Sequence, residues 1–240
     1  MKRSIVSAAM LLAGCMLCAF GPMQMLATMG VPCSTPAVGT YWTEGVEGAG
    51  YETAVTEYGA PDEDFTAPGA LSGGCSQAMR LNIPDGVETG IYRNHGSLID
   101  LDTVTVDYKF SIWIETGLQS GQTIAVGGVG DSSGLASDES QINYNYNGTI
   151  HRIQAYTTGS QSVFVTLSLD TWYDVIVHYD TTPGSSYFKV VGGGSTTCDT
   201  ASECLFTRVA GLDAQYFFYG AGIGVGAGET ADIVIDKMGY

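Results

Sequence analysis

Basic residues are scarce in this chain: nine Lys and Arg stand against 25 Asp and Glu among 240 residues, leaving a formal charge of −16 at pH 7. Affinity for nucleic acid comes largely from cations that neutralise phosphates, so this balance excludes nucleic acid as a main partner. Charged residues of either sign are also few, at 14%, against about 25% in an average domain. Disorder driven by charge is therefore excluded. No stretch after residue 40 keeps apolar residues at helical spacing for three turns, which argues against an α-rich fold. The longest uncharged apolar run, Ile5 to Phe20, falls short of the ~20 residues of a membrane-spanning helix. What the chain does have is glycine (33), tyrosine (14) and 45% hydrophobic residues. That is enough apolar material for a real core, at a length that suits one β-rich domain.

Lys2 and Arg3 precede that apolar run, which is the composition of an export signal. We place the signal over residues 1–27 and a single β-sandwich domain over 28–240. Within the signal, Leu12-Ala13-Gly14-Cys15 matches a lipobox, in which the Cys15 thiol receives a lipid. Met16 to Phe20 nevertheless prolong the apolar core where a polar tether would be expected, so ordinary cleavage between Ala19 and Gly30 stands beside lipidation. Both readings put the domain outside the cytoplasm, secreted or at the cell surface. A membrane contact would come only through that lipid.

With Cys15 and Cys18 in the signal, Cys33, Cys75, Cys198 and Cys204 remain, an even set that suits an oxidising compartment. Cys198 and Cys204 enclose a short polar insert and read as a stapled loop; Cys33 then pairs with Cys75. Zinc is disfavoured, because the C-x5-C spacing lacks a short knuckle and no His lies nearby.

Alternation at period two recurs along the chain. From Val104 to Ile114, the residues Val104, Val106, Tyr108, Phe110, Ile112 and Ile114 face one way and polar residues with Trp113 the other. From Trp172 to Asp180, Tyr173, Val175, Val177 and Tyr179 alternate in the same manner. We expect Trp172 in the core with them. Further strands are predicted at Ala78 to Ile83, Thr123 to Val126, Ile150 to Tyr156, Ser162 to Leu167, Ser186 to Val191, Tyr216 to Gly220 and Asp232 to Tyr240. Turn signals separate them, among them Asn147-Gly148, whose residues tolerate the positive φ of a tight hairpin. So many short strands predict an all-β, antiparallel two-sheet sandwich or jelly roll.

Four stretches resemble a family in order. Pro68 to Gly74 with Ala78-Met79-Arg80-Leu81 is similar to its strand pair with small residues before an apolar one. Val104 to Ile114 with Gln122 to Gly128 resembles its next segment. Leu169 to Asp180 places a Trp in a turn before an alternating strand ending in Tyr-Asp, and Ala231 to Lys237 resembles the closing strand with its Ile-Asp pair. The chain resembles the laminin-G-like, concanavalin A-like jelly-roll domains of bacterial secreted and surface proteins. The resemblance implies the sandwich; the function is left wide, because the fold hosts lectins, carbohydrate-binding modules, adhesins, glycanases and polysaccharide lyases.

A glycosidase needs two carboxylates flanking the scissile bond, and the E-x-D-x-x-E strand of jelly-roll glucanases is missing. A lyase needs a Tyr or His base with Arg, Gln or Asn to neutralise a uronate. Gln141 to Tyr146, with His151, Arg152, Gln154 and Tyr156, offers those types, and Tyr92, Arg93 and His95 are available to add to them. The same residues suit sugar binding, with rings stacking on Tyr and hydroxyls bonding to amides. We therefore expect a non-catalytic carbohydrate-binding or adhesive module whose ligand site comprises Tyr144, Tyr146, His151, Arg152 and Tyr156, with a polysaccharide or glycan as partner. Against it stand a lyase or hydrolase acting on an acidic glycan and a structural envelope or matrix component. Acidic residues near the chain ends, with Asp62, Glu63 and Asp64 in the loop after the presumed first strand, read either as solvated surface charge or as a calcium site, in which Glu47 of the first strand and Asp236 of the last share one ion.

Overall fold

A computed structural model describes residues 56–59, 61–66, 77–83, 87–131, 140–158, 160–194, 197–199, 203–223, 228 and 230–240. Its strands are β1 (Thr56–Tyr58), β2 (Asp62–Thr66), β3 (Gln77–Ile83), β4 (Thr89–Asp100), β5 (Val106–Thr116), β6 (Thr123–Gly130), β7 (Ser140–Tyr146) and β8 (His151–Thr157). They continue as β9 (Ser160–Gln161), β10 (Val165–Leu167), β11 (Tyr173–Tyr179), β12 (Tyr187–Gly192), β13 (Cys204–Leu205), β14 (Asp213–Ile223) and β15 (Ala231–Gly239). The two strongest alternating segments pair directly. Val175 lies opposite Phe110 and Val177 opposite Tyr108, and all four side chains are buried. Each such aliphatic removed from water contributes about 1.5–3 kcal/mol, and the period of two puts them all on one face.

The strands form two antiparallel sheets. The larger runs β1-β4-β14-β6-β7-β8-β10, with β9 on β8; the smaller runs β13-β12-β11-β5-β15-β3-β2. The chain crosses repeatedly between them, from β1 to β2, β3 to β4, β4 to β5, β5 to β6, β10 to β11, β13 to β14 and β14 to β15. The result is the antiparallel jelly-roll sandwich expected from the alternation. Its core lies between the sheets: Tyr219 of β14 stacks on Tyr108 of β5 with ring centroids 4.9 Å apart, and the hydroxyls of Ser140 and Tyr179 meet at 2.8 Å.

Several expectations are corrected. Trp172 is only half-buried and lies against Trp113 on the outside of the smaller sheet, because the alternation that buries Tyr173 turns its neighbour outward. Asp62 to Asp64 belong to β2, paired with β3, and not to a loop. β6 runs on past Val126 through Gly127 and Gly128, whereas the strand expected over 162–167 shrinks to β10. The loop between β7 and β8 spans four residues, and the work of Asn147 is done by its side chain: Oδ1 accepts from the amides of Thr149 and Ile150, both at 3.0 Å. Only Gly148 there takes a positive φ, of 90°. The Cys198–Cys204 disulfide is formed. Cys33 and Cys75, the signal segment with Cys15, and Glu47 lie outside the described residues.

Candidate functional site

Cross-strand register separates the two faces of the larger sheet. One row runs Ile91, Tyr219, Gly127, Ile142 and Ala155; all of it is buried, and the Tyr219–Tyr108 stack marks it as the core side. The adjacent row runs Tyr92, Phe218, Gly128, Gln141, Tyr156 and Gln161 and must point away from the core. Asn94, Tyr216 and Gly130 form a second outward row on one side. Beyond a register shift in β6 come Ala125, Asn143 and Gln154, then Thr123, Asn145, Arg152 and Thr166.

The middle of this outward face is a floor without side chains, at Gly128 and Gly130. A Cβ at Gly128 would come within 2.5 Å of the Ser140 carbonyl oxygen, so the floor admits no larger residue. Beneath it, the Tyr108 phenol crosses the core, donates to the Phe218 carbonyl and accepts from the Gly128 amide at 3.2 Å. Burial pushes that phenol far above its ordinary pKa and keeps it a neutral donor. Gly127 gives it room, since a Cβ there would lie 2.2 Å from the hydroxyl.

One flank of the floor is aromatic. Tyr92 meets Tyr216 edge-on at 5.7 Å and Phe218 at 5.8 Å; the tyrosines are half-exposed while Phe218 is buried below them. Asn94 Nδ2 donates to the Tyr216 hydroxyl at 3.3 Å. The other flank is amide-rich. Gln154, 7% exposed, donates through Nε2 to Gln161 Oε1 at 3.1 Å, while its own Oε1 is buried with no hydrogen-bond partner among the described residues. Asn145 Nδ2 donates to Thr123 Oγ1 at 2.6 Å and to the Gln122 carbonyl at 2.8 Å, which aims its Oδ1 at Arg152 Nε, 2.7 Å away. The Arg152 guanidinium lies 3.8 Å over the Phe164 ring. None of the residues named on these rows is a carboxylate, in a chain of net charge −16.

The five predicted ligand residues are split by the sheet. Arg152 and Tyr156 face outward, and Tyr156 is 36% exposed. Tyr144 is fully buried, with its hydroxyl 2.7 Å from His151 Nδ1, and His151 is stacked on Tyr146 at 4.2 Å. These three occupy the core side, so Tyr144, Tyr146 and His151 do not join the outward face with the other two. The correction is one of parity: His151 and Arg152 are neighbours on one strand and cannot share a face. Tyr92 reaches the outward face, whereas Arg93 and His95 turn the other way toward Tyr240, Arg93 Nε donating to its hydroxyl at 3.1 Å. Tyr216 and Phe164 were missed. Of the calcium pair, Asp236 is buried in β15, opposite Ser111; among the described residues no group of three or more His, Cys, Asp or Glu is placed to hold a metal.

His151 also carries a pH dependence. Burial lowers its pKa, so the unfolded chain takes up the proton first. The stability held by neutral His151 is complete above the unfolded value of about 6.5 and is lost as pH falls below it. Melting temperatures measured from pH 7.5 to 5 are expected to fall less steeply in His151→Gln than in the wild type; parallel slopes would remove His151 as the source.

No family model matches the sequence, and no curated protein does. Among solved structures, the chain is similar to an alginate lyase from Alteromonas sp. 272 (10% identity, 79% of this chain and 93% of that one, TM-score 0.47). It is also similar to the catalytic domain of a family 131 β-glucanase from Podospora anserina (13%, 84% of each chain, 0.42) and to the lectin UEA-II complexed with galactose (13%, 78% and 93%, 0.43).

Proposed function

We propose that this protein is an exported, non-catalytic glycan-binding module of laminin-G-like type, and that it holds its ligand along the outward face of the larger sheet. The observation that carries this reading is the outward face itself: a glycine floor between half-exposed tyrosines and an amide-rich flank on which Gln154 Oε1 has no partner among the described residues. Sugar rings present apolar faces that stack on tyrosine, and their hydroxyls take and give hydrogen bonds to amides. The Cys198–Cys204 disulfide supports the exported compartment. The outward face of this sheet does hold one cross-strand carboxylate pair, Asp100 and Asp213, but it lies at the far end of β4 and β14 and does not flank the glycine floor, as hydrolysis there would need. Lyase chemistry is the second reading, favoured by one observation: the Tyr156 phenol stands on the same strand face as Arg152 and Gln154, a base and a carboxylate-neutralising pair.

Binding to a glycan array without release of an ultraviolet-absorbing product distinguishes the two. For any glycan retained, Tyr92→Ala and Tyr156→Ala are each expected to weaken binding by about 1 kcal/mol, the scale of a ring contact, with the fold intact. Retention unchanged in both variants would move the site off this face.

A further inference from the structure

The geometry points to an anion-reading subsite at Arg152, and from it we infer that the glycan is acidic, carrying carboxylate or sulfate groups. This inference rests on the glycan reading above. Arg152 is unlike the other described cations whose partners are carboxylates. Arg80 meets Glu115 at 2.8 Å, Lys189 meets Glu203 at 2.7 Å, and Arg208 meets Asp102 at 2.6 Å. Arg152 has no carboxylate partner among the described residues, yet it is held firmly. Its Nε is committed to Asn145, whose own amide is fixed from the other side by Thr123 and the Gln122 carbonyl, and its plane rests on Phe164. An arginine fixed through Nε and one face keeps its two Nη groups as a fork, the arrangement that takes a planar anion through two parallel hydrogen bonds. Cation–π contact with Phe164, itself 38% exposed, orients the group without neutralising it.

The neighbouring positions extend the subsite. Arg152, Gln154 and Tyr156 follow one another at every second residue of β8, about 6.8 Å apart. Gln154 Oε1, buried and unpartnered among the described residues, is a ready acceptor for a hydroxyl beside the anion, and Tyr156 offers a ring face further along. Strand spacing thus matches an anionic group, a hydroxyl and a sugar face along one chain. An acidic polymer would meet net repulsion from a protein of charge −16 unless it docked on a stretch free of carboxylates, which these rows provide.

The test is calorimetric titration of the full chain with paired probes: oligogalacturonate and its methyl ester, and sulfated galactan oligosaccharide and its desulfated form. One charged probe is expected to bind at least about tenfold more tightly than its uncharged twin, as a charge-assisted pair requires. Arg152→Gln should erase that preference, so that the charged and uncharged probes bind alike, and Arg152→Lys should restore only part of it. The esterified pair identifies a carboxylate and the desulfated pair a sulfate. Equal binding of charged and uncharged forms, or a preference that survives Arg152→Gln, overturns the acidic ligand while leaving the glycan reading in place. Failure of every probe, together with an empty glycan array, overturns both.

Discussion

Arg208→Met is expected to lower the unfolding free energy by about 3–5 kcal/mol, the range seen when a buried, fully bonded charge site loses one partner. Arg208 is 1% exposed, and its guanidinium serves carbonyls from separate segments: Nε donates to Asp180, and Nη2 to Leu101 and Thr181, at 2.8–3.0 Å. Nη1 donates to the Val209 carbonyl at 2.9 Å. The side chain therefore ties the turn after β4 to the turn after β11 and to the approach to β14. Asp102 adds a contact at 2.6 Å, and that hydrogen bond holds its carboxyl below the usual range, but it is exposed and solvent screens it. The energy lies in the carbonyls, because methionine fills the space and donates nothing, leaving buried acceptors without protons. Urea denaturation at constant slope measures the loss. A change under about 1 kcal/mol would mean that water replaces the guanidinium.

Tyr144→Ala is expected to destabilise the domain by about 3–5 kcal/mol, as for other large aromatic truncations in a core. The ring is fully buried between Ile124 and Ile153 in register, and burial pushes its phenol well above the ordinary tyrosine range. Tyr144→Phe keeps the volume and removes the phenol's bonds with His151 Nδ1 and the Leu118 amide, so its cost should be about 1–2 kcal/mol. Comparing the two melts separates packing from hydrogen bonding. A Tyr144→Ala protein that melts like the wild type and binds glycan poorly would return this ring to the binding face.

The contrast between these residues and the strands around them shows what a sequence can hold. β5 and β11 were legible because their apolar alternation is unbroken, and the Cys198–Cys204 staple because closeness in sequence leaves little choice. β4 was not legible: only its first residues and Ile99 are buried, and the run from Asn94 to Ser97 reads as a loop, although its neighbours β1 and β14 make it a strand. For the hairpin of β7 and β8, parity states that Tyr144 and Arg152 lie on opposite faces. Which face is inside depends on the other sheet, and no local pattern carries that. Tyr92 meets Tyr216 only through the pairing of β4 with β14, and Phe164 meets Arg152 only at the other end of the sheet, so these partners become visible only in the fold. Arg208 is a single arginine in a loop, indistinguishable in sequence from a solvated one.

The Tyr108 phenol that holds Phe218 and Gly128 from below has a dynamic consequence. Because the glycine floor is bonded to a side chain of the opposite sheet, it cannot loosen without also loosening the core. Local opening and global unfolding then become one event for this part of the molecule. A ligand seated there would find its surface already shaped, with little ordering entropy left to lose. Its binding energy would be added to the stability of the whole sandwich, not to that of a single loop.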